Sequence, residues 1–201
     1  MSVKLYDDAL IEKFSKWTKD TNISILGPGE SKRLLEMIAD SNNDEPIKLP
    51  IISIKRVGGF KILDLGKRPL SFDGATLDAN YERASQLNAI PISIPYQIDV
   101  YTRYLNECDE YVRNLVFNII NFPQLDINIP YNNENRSHYS NIRLTGDVED
   151  NSDIPERLIS GQFVRQTLPI VIDDAYLYDV RYRDVYSIEF ETIMEDKELH
   201  N

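Results

Sequence analysis

Hydrophobic and polar positions alternate most regularly between residues 91 and 103. Successive side chains of a strand point to opposite faces of a sheet, so a period of two indicates a strand. One face is apolar and the other carries Ser93, Gln97 and Asp99, which predicts a long strand in a sheet covered on one side only. The apolar members are Ile92, Ile94, Tyr96, Ile98 and Val100.

The period changes to that of a helix directly after this strand. Between residues 104 and 122 the apolar side chains recur three or four positions apart, which places them on one helical face. Asn106, followed by Asp109, resembles a capped helix start, and Pro123 is expected to end the helix. Residues 125–131 alternate again, so the middle of the chain is predicted to be strand, helix, strand.

Helical spacing also marks the N-terminal part of the chain. Residues 6–19 predict an amphipathic helix with acidic side chains in its first turn, where the helix dipole favours them. After a Gly-Pro-Gly break, apolar positions in residues 34–39 indicate a second short helix that ends at the polar stretch 40–44. We therefore expect residues 1–44 to form a helical appendage.

Shorter alternating segments complete the predicted sheet. Residues 52–55 lead through a Gly-Gly pair, which is a hairpin signal, to a strand at residues 60–65. Residues 67–88 and 132–140 show no steady period and are interpreted as a long excursion and a polar loop. Further strands are predicted to begin at residue 142, to cover residues 161–172 and to include residues 186–190, before a frayed acidic tail at residues 195–201.

These elements predict an α/β (α+β) fold. Its largely antiparallel sheet is expected to pack on one main amphipathic helix, with the main domain at residues 45–194. Pro95 and Pro169 fall inside two of the predicted strands. Proline cannot donate to a strand ladder, so each is expected at an edge, at a bulge or with its nitrogen facing outward.

Composition places the chain among globular proteins, with 201 residues of which 42% are hydrophobic and 27% charged. Its 22 Lys and Arg against 33 Asp and Glu give a net charge of −11, which disfavours tight nucleic-acid binding because phosphates require a basic surface. A single cysteine excludes an internal disulfide. We expect no secretory signal and no membrane span, and therefore a reducing, intracellular setting.

Candidate catalytic and metal-binding groups are sparse. His138 is expected to be exposed in the polar loop, and Cys108 lies on the apolar stripe of the main helix, where it is expected to act as a small buried hydrophobe. The acidic residues 147–153 lack the glycine of an EF-hand loop and favour a solvated turn. Asp173 and Asp174 are adjacent, so on a strand they would point to opposite faces, and a strand-end turn is favoured. We predict no catalytic residues, no cofactor and no metal, and hence no enzyme.

Aromatic and arginine residues are frequent after the predicted strand at residues 161–172. They could stack on bases, but Tyr and Arg are also favoured at protein interfaces, and the acidic chain favours a protein-contact surface. The strand at residues 161–172 and the hairpin at Gly58-Gly59 are further candidates for subunit contacts. The candidate interface residues are Tyr101, Arg103, Phe163, Arg165, Tyr176, Tyr178, Arg181 and Tyr182.

The sequence ISIPYQIDVYTR at residues 92–103, followed by NECDEYVRNLVFNIIN at residues 106–121, resembles part of a known family. It is similar to the strand and helix pair of tail terminator (tail completion) proteins from long-tailed bacteriophages. In that group a strand ending in a Val-aromatic pair leads through a short polar turn into an amphipathic helix with acidic residues at its start. The wider stretch at residues 49–163 is similar to structural proteins encoded by phages of Gram-positive bacteria.

This resemblance implies a virion structural protein without a cofactor. It implies a homo-oligomeric ring, expected to be a hexamer, that ends tube polymerisation at the head-proximal end of the tail and joins the tail to the neck. The implied partners are tail tube and neck proteins, and the implied location is the virion, with the host cytoplasm during assembly. Genomic DNA would pass through the lumen without specific binding, since an acidic lining repels phosphates.

Two alternatives stay open. The chain could be another neck or baseplate component with a related fold, or a soluble binding protein that never enters a particle.

Overall fold

The computed structural model describes residues 3–18, 22–39, 48–63, 70–71, 76–77, 83–131, 134–152 and 163–184. Within them, the helices are α1 (Lys4–Trp17), α2 (Pro28–Ala39) and α3 (Leu105–Asn121). The strands are β1 (Ser24–Leu26), β2 (Ile51–Arg56), β3 (Lys61–Ile62), β4 (Leu70–Ser71), β5 (Thr76–Leu77), β6 (Arg83–Thr102), β7 (Gln124–Tyr131), β8 (Glu134–Leu144), β9 (Glu149–Asp150) and β10 (Val164–Asp184). This mixture confirms the α+β class.

The described strands join one curled sheet in the order β1-β2-β6-β10-β8-β7. Every pairing in it is antiparallel except that of β1 with β2. The long antiparallel pair of β6 and β10 forms the centre of the sheet. It extends from Val164 opposite Thr102 to Asp184 opposite Arg83. The prediction of a largely antiparallel sheet is therefore confirmed, and β6 begins eight residues earlier than the alternation indicated.

The segment from β2 to β5 is one interrupted partner of β6. All four strands pair with β6 in antiparallel order, from Ile51 opposite Tyr101 to Leu77 opposite Ala84. The predicted hairpin between β2 and β3 is therefore wrong. The Gly58-Gly59 pair lies in a turn between two successive strands on the same side of β6, and Gly58 has a φ of 74°, which glycine adopts without steric cost.

Both strand prolines lie where the neighbouring strand is interrupted. The carbonyl of Pro95 accepts a hydrogen bond from the Val57 N–H (3.1 Å) after β2, and that of Pro169 accepts one from the Thr145 N–H (3.0 Å) after β8. The nitrogen and the carbonyl of one residue in an antiparallel strand point to the same neighbour, so each missing donor faces a gap between strands. The expectation for both prolines is confirmed.

The predicted apolar face of β6 forms the floor of the main core. Its five members, from Ile92 to Val100, are at most 1% exposed, and the apolar faces of β7 and β10 join them. The helix α3 covers this face with the predicted stripe, namely Cys108, Val112, Leu115 and Ile119. The start of α3 differs from expectation, because Tyr104 is the N-cap residue and Asn106 lies inside the helix.

The N-terminal segment is integral to this core, which corrects the expected appendage. Tyr6, Leu10 and Phe14 of α1 are at most 1% exposed, and α1 contacts β7 at one end of the sheet and β1 at the other. The strand β1, which the sequence pattern did not reveal, extends the sheet beside β2. An amphipathic stripe shows that a helix packs, but it does not show against what.

The second face of the sheet is covered in part by α2. Leu34 of α2 packs with Ile51, Tyr101 and Phe163 in a small cluster separate from the main core. The prediction of a sheet covered on one side only is therefore wrong at this end. It fails because a polar-looking strand face can still place an aromatic side chain such as Tyr101 under a helix.

Two further expectations need correction. Residues 134–140, interpreted as a polar loop, belong to β8 and pair with β7 as far as Tyr131 opposite Glu134. Asp173 and Asp174 lie inside β10, not at its end, and form a β-bulge in which Asp174 has a φ of 56°. The predicted strand at residues 186–190 and the acidic tail at residues 195–201 lie outside the described residues.

Candidate functional site

A buried carboxylate lies at the centre of the polar face of the sheet. Asp99 on β6 is fully buried and contacts cations from both neighbouring strands, Lys55 Nζ on β2 (2.5 Å) and Arg165 Nη2 on β10 (3.4 Å). Thr167 Oγ1 (2.7 Å) and Gln97 Nε2 (2.9 Å) donate hydrogen bonds to the same carboxylate. The period of two in the three strands brings these side chains to one face.

The balance of charges around Asp99 keeps it ionised. Burial by itself raises the pKa of this carboxyl, but the Lys55 ammonium and the Arg165 guanidinium outweigh burial and hold the pKa below its usual value. These four partners of Asp99 all lie on strands of the sheet. The arrangement therefore joins β2, β6 and β10.

A second buried carboxylate lies on the opposite face of β6. Asp7 of α1 accepts a hydrogen bond from Tyr96 Oη (2.8 Å) and forms an ion pair with Arg56 Nη2 (3.0 Å). Burial raises the pKa of Asp7 despite these two partners, and it raises the pKa of Tyr96 as well. This contact fixes α1 on the sheet.

The bulge in β10 separates β8 from the distal half of β10, and α1 fills the opening. Tyr6 Oη accepts a hydrogen bond from the Tyr176 N–H (2.6 Å) and donates one to the Tyr176 carbonyl (3.1 Å), so it replaces a strand partner. The Asp174 carbonyl is within hydrogen-bond distance of His138 Nε2 (2.6 Å) and accepts a bond from Ser140 Oγ (3.0 Å). His138 therefore lies half-buried on β8, in edge contact with the Tyr176 ring, and not in an exposed loop as expected.

Cys108 is the small buried hydrophobe that the sequence predicted. It is fully buried in the main core, and its Sγ lies 3.6 Å from the Val100 carbonyl. Burial raises the pKa of the thiol to about 11, so the reactive thiolate is scarce at neutral pH. Cys108 and His138 lie on separate elements and share no contact that would make a nucleophile and base pair.

The predicted interface residues divide into buried and accessible ones. Arg103 is exposed and Tyr176 is half-buried, whereas Arg181 and Tyr182 lie in β10 with side chains outside the described part. The other four are buried within the chain and are therefore not on its surface. They are Tyr101, Phe163, Arg165 and Tyr178. The rings of Tyr101 and Phe163 meet edge to face at 5.6 Å, and that contact places both under α2. Whether this region forms an interface stays a prediction.

A groove lies beside α3 in the described part of the chain. It encloses about 640 Å³ between α3 and the end of α1, and Glu107, Glu110, Arg113 and Phe117 line it on the α3 side. The Phe117 side chain is 61% exposed there. We refer to these four residues as the α3 groove.

Exposed apolar side chains also surround the turn between β2 and β3. Val57, Phe60 and Ile62 are between 41% and 50% exposed, and Arg56 and Lys61 are exposed beside them. Residues 55–62 contain three cations and no acid, although the chain as a whole carries a charge of −11. We refer to residues 56–62 as the cationic turn, which the sequence had marked as a contact candidate.

The sequence pattern did not predict the α3 groove, although it contains two apolar residues outside the buried stripe of α3. Phe117 and the 65% exposed Ile120 lie off the buried stripe of α3, and their apolar positions on the polar side of the helix are visible in the sequence.

Across the described residues, the His, Cys, Asp and Glu side chains form no group of three that could hold a metal ion. In the same part of the chain, no helix is both long and apolar enough to cross a membrane.

Comparisons with known proteins assign no family. A scan against protein-family models found no match, and a search of curated proteins found no significant match.

Proposed function

We propose that this chain is a structural subunit of a long-tailed phage particle and not an enzyme. In this proposal, copies form a homo-oligomeric ring at the head-proximal end of the tail, which ends tube polymerisation and joins the tail to the neck. The resemblance of residues 92–121 to tail terminator proteins supplies the class, and the exposed surface of the chain supplies the physical support.

The observation that carries this proposal is a pair of partly apolar surfaces on different sides of one subunit. The cationic turn lies on the β2 side of β6, whereas α3 contacts β6, β10 and β8. Exposed apolar side chains that gather in one place usually mark contacts with another protein. Two different surfaces on one subunit give a head-to-tail contact, and such contacts close into rings when the rotation between copies permits it.

The charge of the chain fits a conduit for DNA. With a net charge of −11, a ring lining would repel the phosphate backbone and allow the polymer to pass. Among the described residues, the buried carboxylates Asp7 and Asp99 are both held by ion pairs and hydrogen bonds within the fold, which supports a structural role for them.

Electron microscopy of particles that carry a tagged copy of this chain tests where the chain lies in the particle. We expect label at the junction of head and tail, at one level along the tail axis. Label at the distal end would favour a baseplate component, and particles without label that still contain every other tail protein would favour a soluble binding protein outside the virion. Either result would overturn the assignment to the head-proximal ring.

A further inference from the structure

We infer that the cationic turn of one copy of this chain inserts into the α3 groove of the next copy. This inference rests on the proposed ring and names the surfaces that would form it. The turn supplies the projecting part of the contact, with Phe60 as its apolar centre and Lys61 as its charge.

The shape of the turn suits insertion. It connects β2 to β3, which run in the same direction beside β6, and among the described residues the only backbone hydrogen bond of residues 57–60 is that of the Val57 N–H to the Pro95 carbonyl. The left-handed Gly58 permits the local bend between the two strands. Phe60 is 41% exposed at the turn, although an aromatic ring gains by leaving water. An exposed aromatic on a tight turn is the kind of anchor that dominates many interfaces.

The groove is complementary to the turn in size and in apolar surface. Its volume of about 640 Å³ falls within the roughly 300–1,000 Å³ of typical binding pockets, so it can accept a ring and its neighbours. Phe117 provides an exposed ring on its wall, and offset or edge contact between two aromatic rings is favourable.

The two surfaces are also complementary in charge. Of the four residues that define the α3 groove, Glu107 and Glu110 are acidic and Arg113 is basic, so their net charge is −1. Arg113 pairs with Glu110 at 3.8 Å on the exposed side, and Glu107 is half-buried in the groove. Lys61 is exposed on the turn, whereas Lys55 and Arg56 already pair with Asp99 and Asp7. The opposite charges of Lys61 and the groove favour the turn as the occupant of the groove, whereas an acidic segment would be repelled.

A second copy of the chain is the occupant because both halves of the contact are present on one subunit and use different elements. One copy can donate its turn to one neighbour and accept the turn of the other neighbour. A two-fold dimer would place the same surface on both sides, whereas turn in groove is a contact between unlike surfaces.

Mixing two single variants tests this directly. Phe60→Asp disables the turn and Phe117→Asp disables the groove, and each is expected to weaken self-association at least about tenfold in light scattering coupled to size-exclusion chromatography. The mixture keeps one intact turn and one intact groove, so we expect it to form heterodimers that grow no further. Tyr139→Asp, at a 56% exposed aromatic on β8, is the matched control and should assemble like the wild type. Unchanged thermal unfolding midpoints show that each variant is folded.

Charge reversal provides the second arm. Lys61→Glu and Glu110→Lys should each weaken association, and the double variant should recover most of it. Lys48→Glu, at another exposed lysine, is the matched control and should assemble like the wild type. Wild-type rings that persist in both aspartate variants would overturn the contact and leave the ring proposal standing. The contact between turn and groove would also be overturned by a mixture that forms full rings, or by a wild type that stays monomeric at every concentration. The ring proposal itself is judged by the location of the chain in particles.

Discussion

The two faces of β6 each bury one carboxylate, and the two sites differ in how many partners compensate for the loss of water. On the polar face, Asp99 has two cations and two neutral donors, and its pKa is lowered. On the apolar face, Asp7 has one tyrosine and one arginine, and its pKa is raised. Burial alone therefore does not decide whether the pKa of a carboxyl group is raised or lowered. The number and charge of its partners also count.

This difference also separates two structural roles. Asp99 joins three strands of the sheet, so its loss would remove one carboxylate that two cations share. Asp7 is one of several contacts that hold α1, beside the apolar side chains of Leu10 and Phe14.

Asp99→Ala should destabilise the protein by roughly 3–5 kcal/mol, because it removes the carboxylate that Lys55 and Arg165 both contact in a buried ion cluster. The free energy of unfolding from urea titration measures this loss. Asp126→Ala, at an exposed carboxylate on β7, is the matched control and should change stability by less than about 0.5 kcal/mol. A loss for Asp99→Ala as small as that of the control would contradict the role of the cluster.

Tyr6→Phe should cost about 1–3 kcal/mol, because both backbone groups of Tyr176 lose the hydroxyl that replaces their strand partner. The aromatic ring stays, so packing of α1 in the core is retained. Hydrogen exchange should show faster exchange at the Tyr176 amide, with little change in β6. Equal protection of that amide in the variant and the wild type would show that the hydroxyl does not hold the edge of β10.

Asp7→Asn should cost less than about 1 kcal/mol. The amide oxygen can still accept the hydrogen bond from Tyr96, and the ion pair that is lost involves Arg56, whose side chain is 42% exposed and can return to water. Urea titration at pH 7, beside Asp99→Ala, checks the order of the two effects. A larger loss for Asp7→Asn than for Asp99→Ala would reverse the comparison.

The dependence of stability on pH should have opposite signs at the two sites. Because the pKa of Asp99 is lowered on folding, its contribution is present above the unfolded value of about 4 and is lost as the pH falls through the lower folded value. Because the pKa of Asp7 is raised, its ionisation destabilises the fold as the pH rises from about 4 through the higher folded value.

Difference curves separate these two effects. The stability of the wild type minus that of Asp99→Asn should fall below about pH 4, whereas the wild type minus Asp7→Asn should fall above it. Two curves of the same sign would show that the partners do not set the two carboxyl pKa values in the way described.

The middle of the fold could be predicted because its patterns are local. The alternation of Ile92 to Val100 and the stripe from Cys108 to Ile119 each report which side of one element is buried, and no distant residue is needed to interpret them. The positions of Pro95 and Pro169 followed from the missing donor of proline.

Pairing between distant segments could not be predicted in this way. The Gly58-Gly59 pair fits a hairpin and also a turn between two strands on one side of β6, and only the partner strand distinguishes them. Residues 134–140 and the beginning of β6 are polar and carry no period, so nothing local marked them as strands. The burial of Tyr101 and Phe163 depends on α2, which comes from a remote part of the chain.

The two proposed contact surfaces differ in the same way. The residues around Gly58-Gly59 are a contact candidate in the sequence itself, whereas the α3 groove lies between α3 and the end of α1 and is visible only with the fold. A groove between two elements has no signature in either element alone.

Quantitative mass spectrometry of purified particles tests the central claim most directly, that this chain is a ring subunit of the virion. We expect the chain to be present at a small, fixed number of copies per particle, near six, relative to a tail protein of known stoichiometry. Absence of the chain from washed, intact particles, or a copy number that scales with tail length, would contradict the account.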